Sequence, residues 1–482
     1  MASTTEQEVS AGPTAQLSSW VSSVTLSDIP DEIQTRAKYL ILDGLACALV
    51  GAHLPWSEKA AKAILEMESN DGAYVFGWDR KISPLSAALI NSTFLQGFEL
   101  DDWHSEAPLH SNSILLPALF AAAQQLSKAD RSITVSGSDL LLATIVGYEV
   151  GPRVGNGLYG AHVLTQGWHS GAVFGPAASA AAVGKLIGLS PDQIEDAFGI
   201  ACTQACGLMS AQFGSEVKRM QHGFAARNGL LAALLARGGY VGIKRVFEQD
   251  YGGFLKQFSM GNGMDPQYKP NEVAKELGKK WQTNGVRVKP YASMAGTHPT
   301  IDCIRKLQEL HPEQMRNFEG MKKINIELGE AAYHHGGWKA TRPLTSTGAQ
   351  MSNSYAAATQ IVHGSVLPAQ YRHDMLENDD VWRLVDMSDC ELLPSLAKSF
   401  AQIVTIEFND GTTLSQRVEA ARGVNPALSN DEIVEKFRML TKDIIDIERG
   451  RKIEEMVLGL DHCSNVSLLE ELMAGVTKNP IE

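Results

Sequence analysis

Five ionisable side chains crowd one polar interruption of an otherwise apolar stretch: FELDDWHSEAPLHSNSILLP carries Asp101, Asp102, His104, Glu106 and His110 within ten positions. A carboxylate beside an imidazole fixes the ring tautomer and keeps the ring protonatable near neutral pH, which suits general acid–base work. Any one of these residues, taken alone, reads more simply as a solvated loop residue or a helix cap. Two histidines and three acids in one loop bordered by core are harder to dismiss. The same set could ligate a metal, yet the sequence has neither an HExxH helix nor the spacing of a known ligand box.

A second interruption, TQGWHSGAVFGPAASAAA, sets His169 between Trp168 and Ser170 ahead of a small-residue helix. A lone His at a helix start is more often a cap or packing residue than a catalyst. A third, GSEVKRMQHGFAARNG, groups Lys218, Arg219, His222 and Arg227 near glycines. Its bland reading is a solvated basic helix face. In an acidic protein, though, this cluster and Arg287-Val288-Lys289 are the obvious places to hold a multiply charged anion. GWKATRPLTSTGAQ adds Lys339 and Arg342 without identifying a nucleotide site. No GxGxxG after a strand, GxxxxGK[ST], GxSxG elbow or zinc-spaced CxxC pair occurs. These absences argue against a nicotinamide enzyme, a P-loop ATPase and a serine hydrolase.

The chain that must position these groups has 482 residues, 44% hydrophobic and 20% charged, enough for two or three globular domains without disulfide or metal staples. A formal charge of −13 argues against a nucleic-acid or anionic-membrane partner, so positive charge for an anionic substrate must be local. The cysteines at 47, 202, 206, 303, 390 and 463 read as reduced packing residues of an intracellular protein. Cys202 and Cys206 are expected to share a helix face but lack the second pair a zinc site needs. The longest apolar run, residues 171–184, is closed by Lys185 and is too short to span a membrane. The start, MASTTEQEVSAGPTAQLSSW, has two Glu and no Arg and resembles neither a signal nor a transit peptide, so a cytoplasmic location is expected.

Apolar spacing is mostly helical from Thr14 to about Gly242. DEIQTRAKYLILDGLACALVGAH opens with first-turn acids, and SDLLLATIVGYEVGPRVG and SPDQIEDAFGIACTQACGLMS open with cap-like Ser. The pattern changes near residue 285. GVRVKPYA, KKINIELGEAAY and QIVTIEFNDGTTLSQRVE alternate, the last as two runs joined by Asn409-Asp410-Gly411, a hairpin signal. PTIDCIRKLQEL and NSYAAATQIVHG lie between them as helices. After Arg422-Gly423, NPALSNDEIVEKFRMLTKDI returns to helical spacing behind a Ser429 cap. The expected fold is mainly α with an α+β insert: helical residues 1–284, an α+β domain over 285–423, and helical residues 424–482.

KYLILDGLACALVGA, ELDDWHSEAPLH, GWHSGAVFGPAASAAAVGKLIGL, GSEVKRMQHGFAARNG, KPYASMAGTH and VTIEFNDGT, in that order over nearly the whole chain, resemble the MmgE/PrpD family. DDWHSEAPLHS, ACTQACGLMSAQFG and VKRMQHGFAARNGLL are most similar to the fungal branch that decarboxylates cis-aconitate. A 2-methylcitrate dehydratase of the family more typically reads DDTH followed by HP, where this chain has Trp103 and Ser111. The resemblance implies a large helical domain with a smaller α+β lid, a homodimer, and a site between the domains for a small tricarboxylate, with no cofactor. It places His110, His104, Asp101 and Asp102 in the active-site loop, His169 and Lys218 opposite, and Lys289 reaching in from the lid. Met294, where relatives carry His or Cys, receives no role, and His298 is left undecided.

The implied activity is decarboxylation of cis-aconitate to itaconate and CO2, a reaction in which the substrate is its own electron sink. The protein must then supply cations around three carboxylates, a task for Lys218 and Lys289, and an acid that protonates carbon, His110 or His169. The alternatives are a dehydratase of the same family and a catalytically silent helical dimer.

Overall fold

The computed structural model describes residues 11–130, 132–396 and 400–482. The reading of the first ten residues as free of a targeting signal lies outside the described residues. The helical part is built on long, Ala- and Gly-rich helices: α1 (Asp31–Gly51), α2 (Pro84–Leu95), α3 (Ser111–Ala129), α4 (Gly137–Gly157), α5 (Ser170–Leu186), α6 (Pro191–Cys202) and α7 (Gln221–Arg237). α2 and α5 carry apolar or small residues on every face, and a helix without a polar stripe has to lie inside. Accordingly α5 packs against α3, α4, α6 and α7 at once. Capping boxes start two of these helices, Ser136 with Asp139 and Ser190 with Gln193. The cap of α4 is therefore Ser136 rather than Ser138, because Asp139 must stand three residues behind it to return the bond. Cys202 and Cys206 do not share a helix face: α6 ends at Cys202, and Cys206 is exposed beyond it.

The α+β part holds α8 (His298–Leu310) and α9 (Asn353–His363) against a four-stranded sheet. GVRVKPYA supplies no strand to that sheet. Its two-residue strand Val286–Arg287 (β2) pairs antiparallel with Trp103–His104 (β1) of the polar loop, and the pairing ends there, ahead of Pro290. The main sheet comprises β3 (Met321–Leu328), β4 (Ser388–Leu392), β5 (Gln402–Phe408) and β6 (Thr413–Val418), in the order β4-β3-β5-β6 with only the β3–β4 pair parallel. The β5–β6 hairpin turns at Gly411, whose φ of 88° is the left-handed conformation the Asn-Asp-Gly signal calls for.

Behind a Ser429–Glu432 capping box, α10 (Asn430–Thr441) leaves the sheet and packs on α1. Buried Lys436 of α10 meets buried Asp43 of α1 at 2.6 Å. Among the described residues all six cysteines are free, and no single helix is long and apolar enough to cross a membrane.

Candidate active site

The polar loop divides between supporting groups and groups that face other charges. Asp102 is fully buried and caps α3, its carboxylate accepting the N–H of Ser111 at 2.9 Å and of Asn112 at 3.0 Å. Burial, with Asp101 and Asp43 nearby, pushes its carboxyl well above the usual range. His104 is equally occupied. Its Nδ1 accepts the N–H groups of Glu106 and Ala107, at 3.3 and 3.1 Å, and burial holds the ring neutral with a pKa near 4. Gly285 is required beside it, since a Cβ there would overlap His104 Nε2. Glu106 is largely exposed and lies 3.7 Å from Lys280.

His110 stands at the N-cap position of α3 and meets Asp101 through Nδ1 at 2.9 Å. Asp101 is fully buried, and its other oxygen has no hydrogen-bond partner. The intervening carbonyl of Leu100 accepts from Lys436 at 2.8 Å, so α10 holds the loop from behind.

Two further rings complete a row. His169 is the N-cap residue of α5, and His222 is the second residue of α7. The His222 ring lies between the others, 4.8 Å from His110 and 4.9 Å from His169, centroid to centroid. His169 Nδ1 accepts the N–H of Ala172 at 3.4 Å, which leaves its proton on Nε2. Burial, then Lys218 and His110, lower its pKa to about 3. Three long helices thus begin at one place, each bringing a histidine and the positive end of its dipole.

Facing them is a cluster of cations around Glu99. Burial alone would raise this carboxyl, but Lys218, Lys289 and Arg219 together hold it well below its ordinary value. Lys218 contacts Glu99 Oε1 directly, Arg219 reaches the same oxygen at 2.6 Å, and Lys289 reaches Oε2 at 3.0 Å. All four residues have nearly buried side chains, and Glu99 itself sits at a φ of 57°, a conformation costly for a residue with a Cβ. Burial lowers Lys218 to about 8 in spite of its partner. Three cations share one carboxylate, an excess of positive charge in a site nearly closed to water.

The chain is folded so that Lys289 arrives here. Buried Glu149 of α4 accepts the N–H of Gln282 and of Thr283, both at 2.9 Å, fixing the approach to β2. β2 then pairs with the loop strand, and Lys289 follows two residues later. From the α+β part, Gln350 accepts from Arg219 at 2.9 Å and donates to the Phe98 carbonyl at 2.9 Å, a second tie across the seam.

His110, Asp101, His169, Lys218 and Lys289 are thus brought together, while Asp102 and His104 serve the loop's own structure. Arg227 bonds Asn228, Arg287 the carbonyls of Asn284 and Val424, Lys339 two carbonyls, and Arg342 the acids Glu377 and Asp379. His298 is buried against the Ser293 carbonyl, and Met294 packs beside Gly296 and Gly336. Glu99 and Gln350 were not singled out by their sequence neighbourhoods, and His222 was named only as one member of the basic cluster. Only the polar punctuation of FEL, within a run of apolar residues, marks Glu99. Two cavities, of about 240 and 300 Å³, open on either flank of the 206–217 segment, lined by sequence neighbours of the cluster and not by its members.

Comparison with known proteins agrees with this two-part architecture. Residues 15–267 match the MmgE/PrpD N-terminal domain and residues 291–462 the MmgE/PrpD C-terminal domain. The chain is 50% identical over 469 residues to the cis-aconitate decarboxylase-like protein oryM of Aspergillus oryzae, covering 96% of this chain and 97% of that one. It is 46% identical over 489 residues to the cis-aconitate decarboxylase of Aspergillus terreus, covering 99% of each, and 26% identical over 459 residues to the human cis-aconitate decarboxylase, covering 93% and 91%. With both domain models matched in order over nearly the whole chain, the chain belongs to the MmgE/PrpD family.

Proposed function

We propose that this chain catalyses the cofactor-independent decarboxylation of cis-aconitate to itaconate and CO2. The observation that carries the reading is the 46% identity over essentially its full length to the Aspergillus terreus cis-aconitate decarboxylase. The geometry supplies what that chemistry asks for. Lys218, Arg219 and Lys289 offer positive charge to a trianion from both parts of the chain. When the bond to the leaving carboxylate of the methylene arm breaks, its electron pair forms the new terminal double bond. The old double bond shifts its electrons onto the vinylic carbon, which is conjugated with another carboxylate.

His110 is the acid in this reading. Its Nδ1–H donates a hydrogen bond to Asp101, leaving Nε2 to deliver a proton to that carbon and be recharged from solvent. Asp101 supplies the compensating charge while both nitrogens are protonated. His169, neutral and with Nδ1 engaged, donates its Nε2–H to a carboxylate instead.

In D2O, cis-aconitate should give CO2 and itaconate with one deuteron on the former vinylic carbon and none on the terminal methylene. A hydroxy acid without CO2, or rapid consumption of 2-methylcitrate, would move the activity to the dehydratase branch.

The further parts of the reading are a helical domain of residues 1–284 and 424–482 with a lid over 285–423, a homodimer, and a cytoplasmic location. The Lys436–Asp43 pair supports joining the last helices to the first. Adjacent exposed Tyr240, Val241 and Ile243 support association of two copies, which sedimentation would measure. Six unpaired cysteines support a reducing compartment.

A further inference from the structure

His222 has no exposure at all, and neither of its ring nitrogens has a hydrogen-bond partner. A buried imidazole left unsatisfied is destabilising, and an apolar ring would fill the same space without that cost. The ring's direction supplies a reason for keeping it. Its Nε2 rests against Gly171, where a Cβ would overlap it, so it points at the first turn of α5. There the N–H groups of Ser170 and Gly171 lie at the first two helical positions, where no carbonyl a turn earlier is available to them. α5 runs for 17 residues, and His222 lies in the first turn of another 17-residue helix, α7. The cavity of about 300 Å³ reaches both helix starts through Ala172 and Gln221.

We propose that the first turn of α5 and the His222 ring form a carboxylate subsite, in which the Ser170 and Gly171 N–H groups and one His222 N–H hold one arm of the tricarboxylate. The inference rests on the proposed substrate class and names the groups that would seat one part of it. Burial, followed by His110, His169 and Lys218, keeps His222 well below its ordinary pKa, so the ring takes part as a neutral donor and Lys218 supplies the charge. Glu99 acts in the opposite sense. α2, which also packs on α7, brings no titratable side chain, and the α6 acids Glu195 and Asp196 pair with Lys244.

The test is calorimetric binding of propane-1,2,3-tricarboxylate, a saturated analogue that cannot react. His222→Phe keeps a ring and removes the donors, and should weaken binding about tenfold to a hundredfold, the loss of a hydrogen bond to a charged group. Gly171→Ala, which drives a methyl into the ring, should weaken it similarly. His222→Asn restores a donor and should bind within about threefold of the unaltered protein. Unchanged binding by folded His222→Phe, or equal weakening in the Phe and Asn variants, would overturn the subsite. If His222→Phe does not fold, Gly171→Ala binding as tightly as the unaltered protein overturns it too. An unaltered protein that binds the analogue but releases no CO2 from cis-aconitate would sink the decarboxylase reading and leave the subsite standing.

Discussion

Glu99 and Asp102 stand three residues apart on one loop, both buried, and differ in everything that decides their charge. Glu99 is ringed by Lys218, Arg219 and Lys289 and is held ionised. Asp102 has no cation against it, only the N–H groups it caps and two neighbouring acids, and its carboxyl is pushed up. Burial is common to the two, so the partners decide the outcome. His110 and His104 repeat the contrast: one ring turns a nitrogen to a carboxylate and leaves the other for a reactant, while the second spends Nδ1 on backbone N–H groups. The proposed division thus gives chemistry to Glu99, Asp101 and His110 and support to the interleaved Asp102 and His104.

The largest expected effect breaks or upholds that division directly. His110→Ala should lower kcat about a hundredfold to ten-thousandfold with the fold intact. His104→Asn should lower the melting temperature and leave kcat within a few-fold. A catalytic collapse in the His104 variant would erase the distinction. Next, Lys218→Met and Lys289→Met should each raise KM and lower kcat together, by about tenfold or more in kcat/KM, because their attraction strengthens as charge develops. A change confined to thermal stability would place either lysine on the supporting side.

The two carboxylates can then be compared by urea unfolding. Glu99→Gln leaves buried cations without their anion and should cost about 3–5 kcal/mol. Asp102→Asn removes one capping acceptor and should cost about 1 kcal/mol. Stability should also depend on pH. His104, His169 and His298 have folded pKa values near 4, 3 and 3 against an ordinary 6.5, so below pH 6.5 the unfolded chain takes up protons the folded one refuses. Stability should be full above that pH and fall as the pH drops from 6.5 toward 4. Melting temperatures flat between pH 7 and 4.5 would contradict the neutral state of these rings.

Much of this was legible because chemistry interrupts pattern. His110, His169 and Lys218 each break an apolar helical stretch, and the Asn409-Asp410-Gly411 turn and Ser429 cap are local signals answered by local structure. Glu99 was not legible, since its partners lie 119 to 190 residues away and its neighbours Phe98 and Leu100 read as core. His222 was visible only as one of a basic cluster that reads equally as a solvated face or an anion site, and the spacing does not show that packing against α5 turns this ring inward while Arg227 stays on Asn228. GVRVKPYA alternates like a sheet strand, yet only Val286 and Arg287 pair, because their partner is the polar loop itself.

The bond from Lys436 to the Leu100 carbonyl, with its pairing to Asp43, ties the loop to the last tenth of the chain. On the ribosome, Asp43 emerges long before its counter-ion. At about 5–20 residues per second, roughly 20–80 s separate the two. Through that interval the nascent helical half must tuck a carboxylate into its interior with no ammonium to neutralise it. An N-terminal fragment ending before residue 430 should accordingly be made as a loose, inactive intermediate. Adding the missing segment as a separate peptide, rather than adding substrate, should be what matures it.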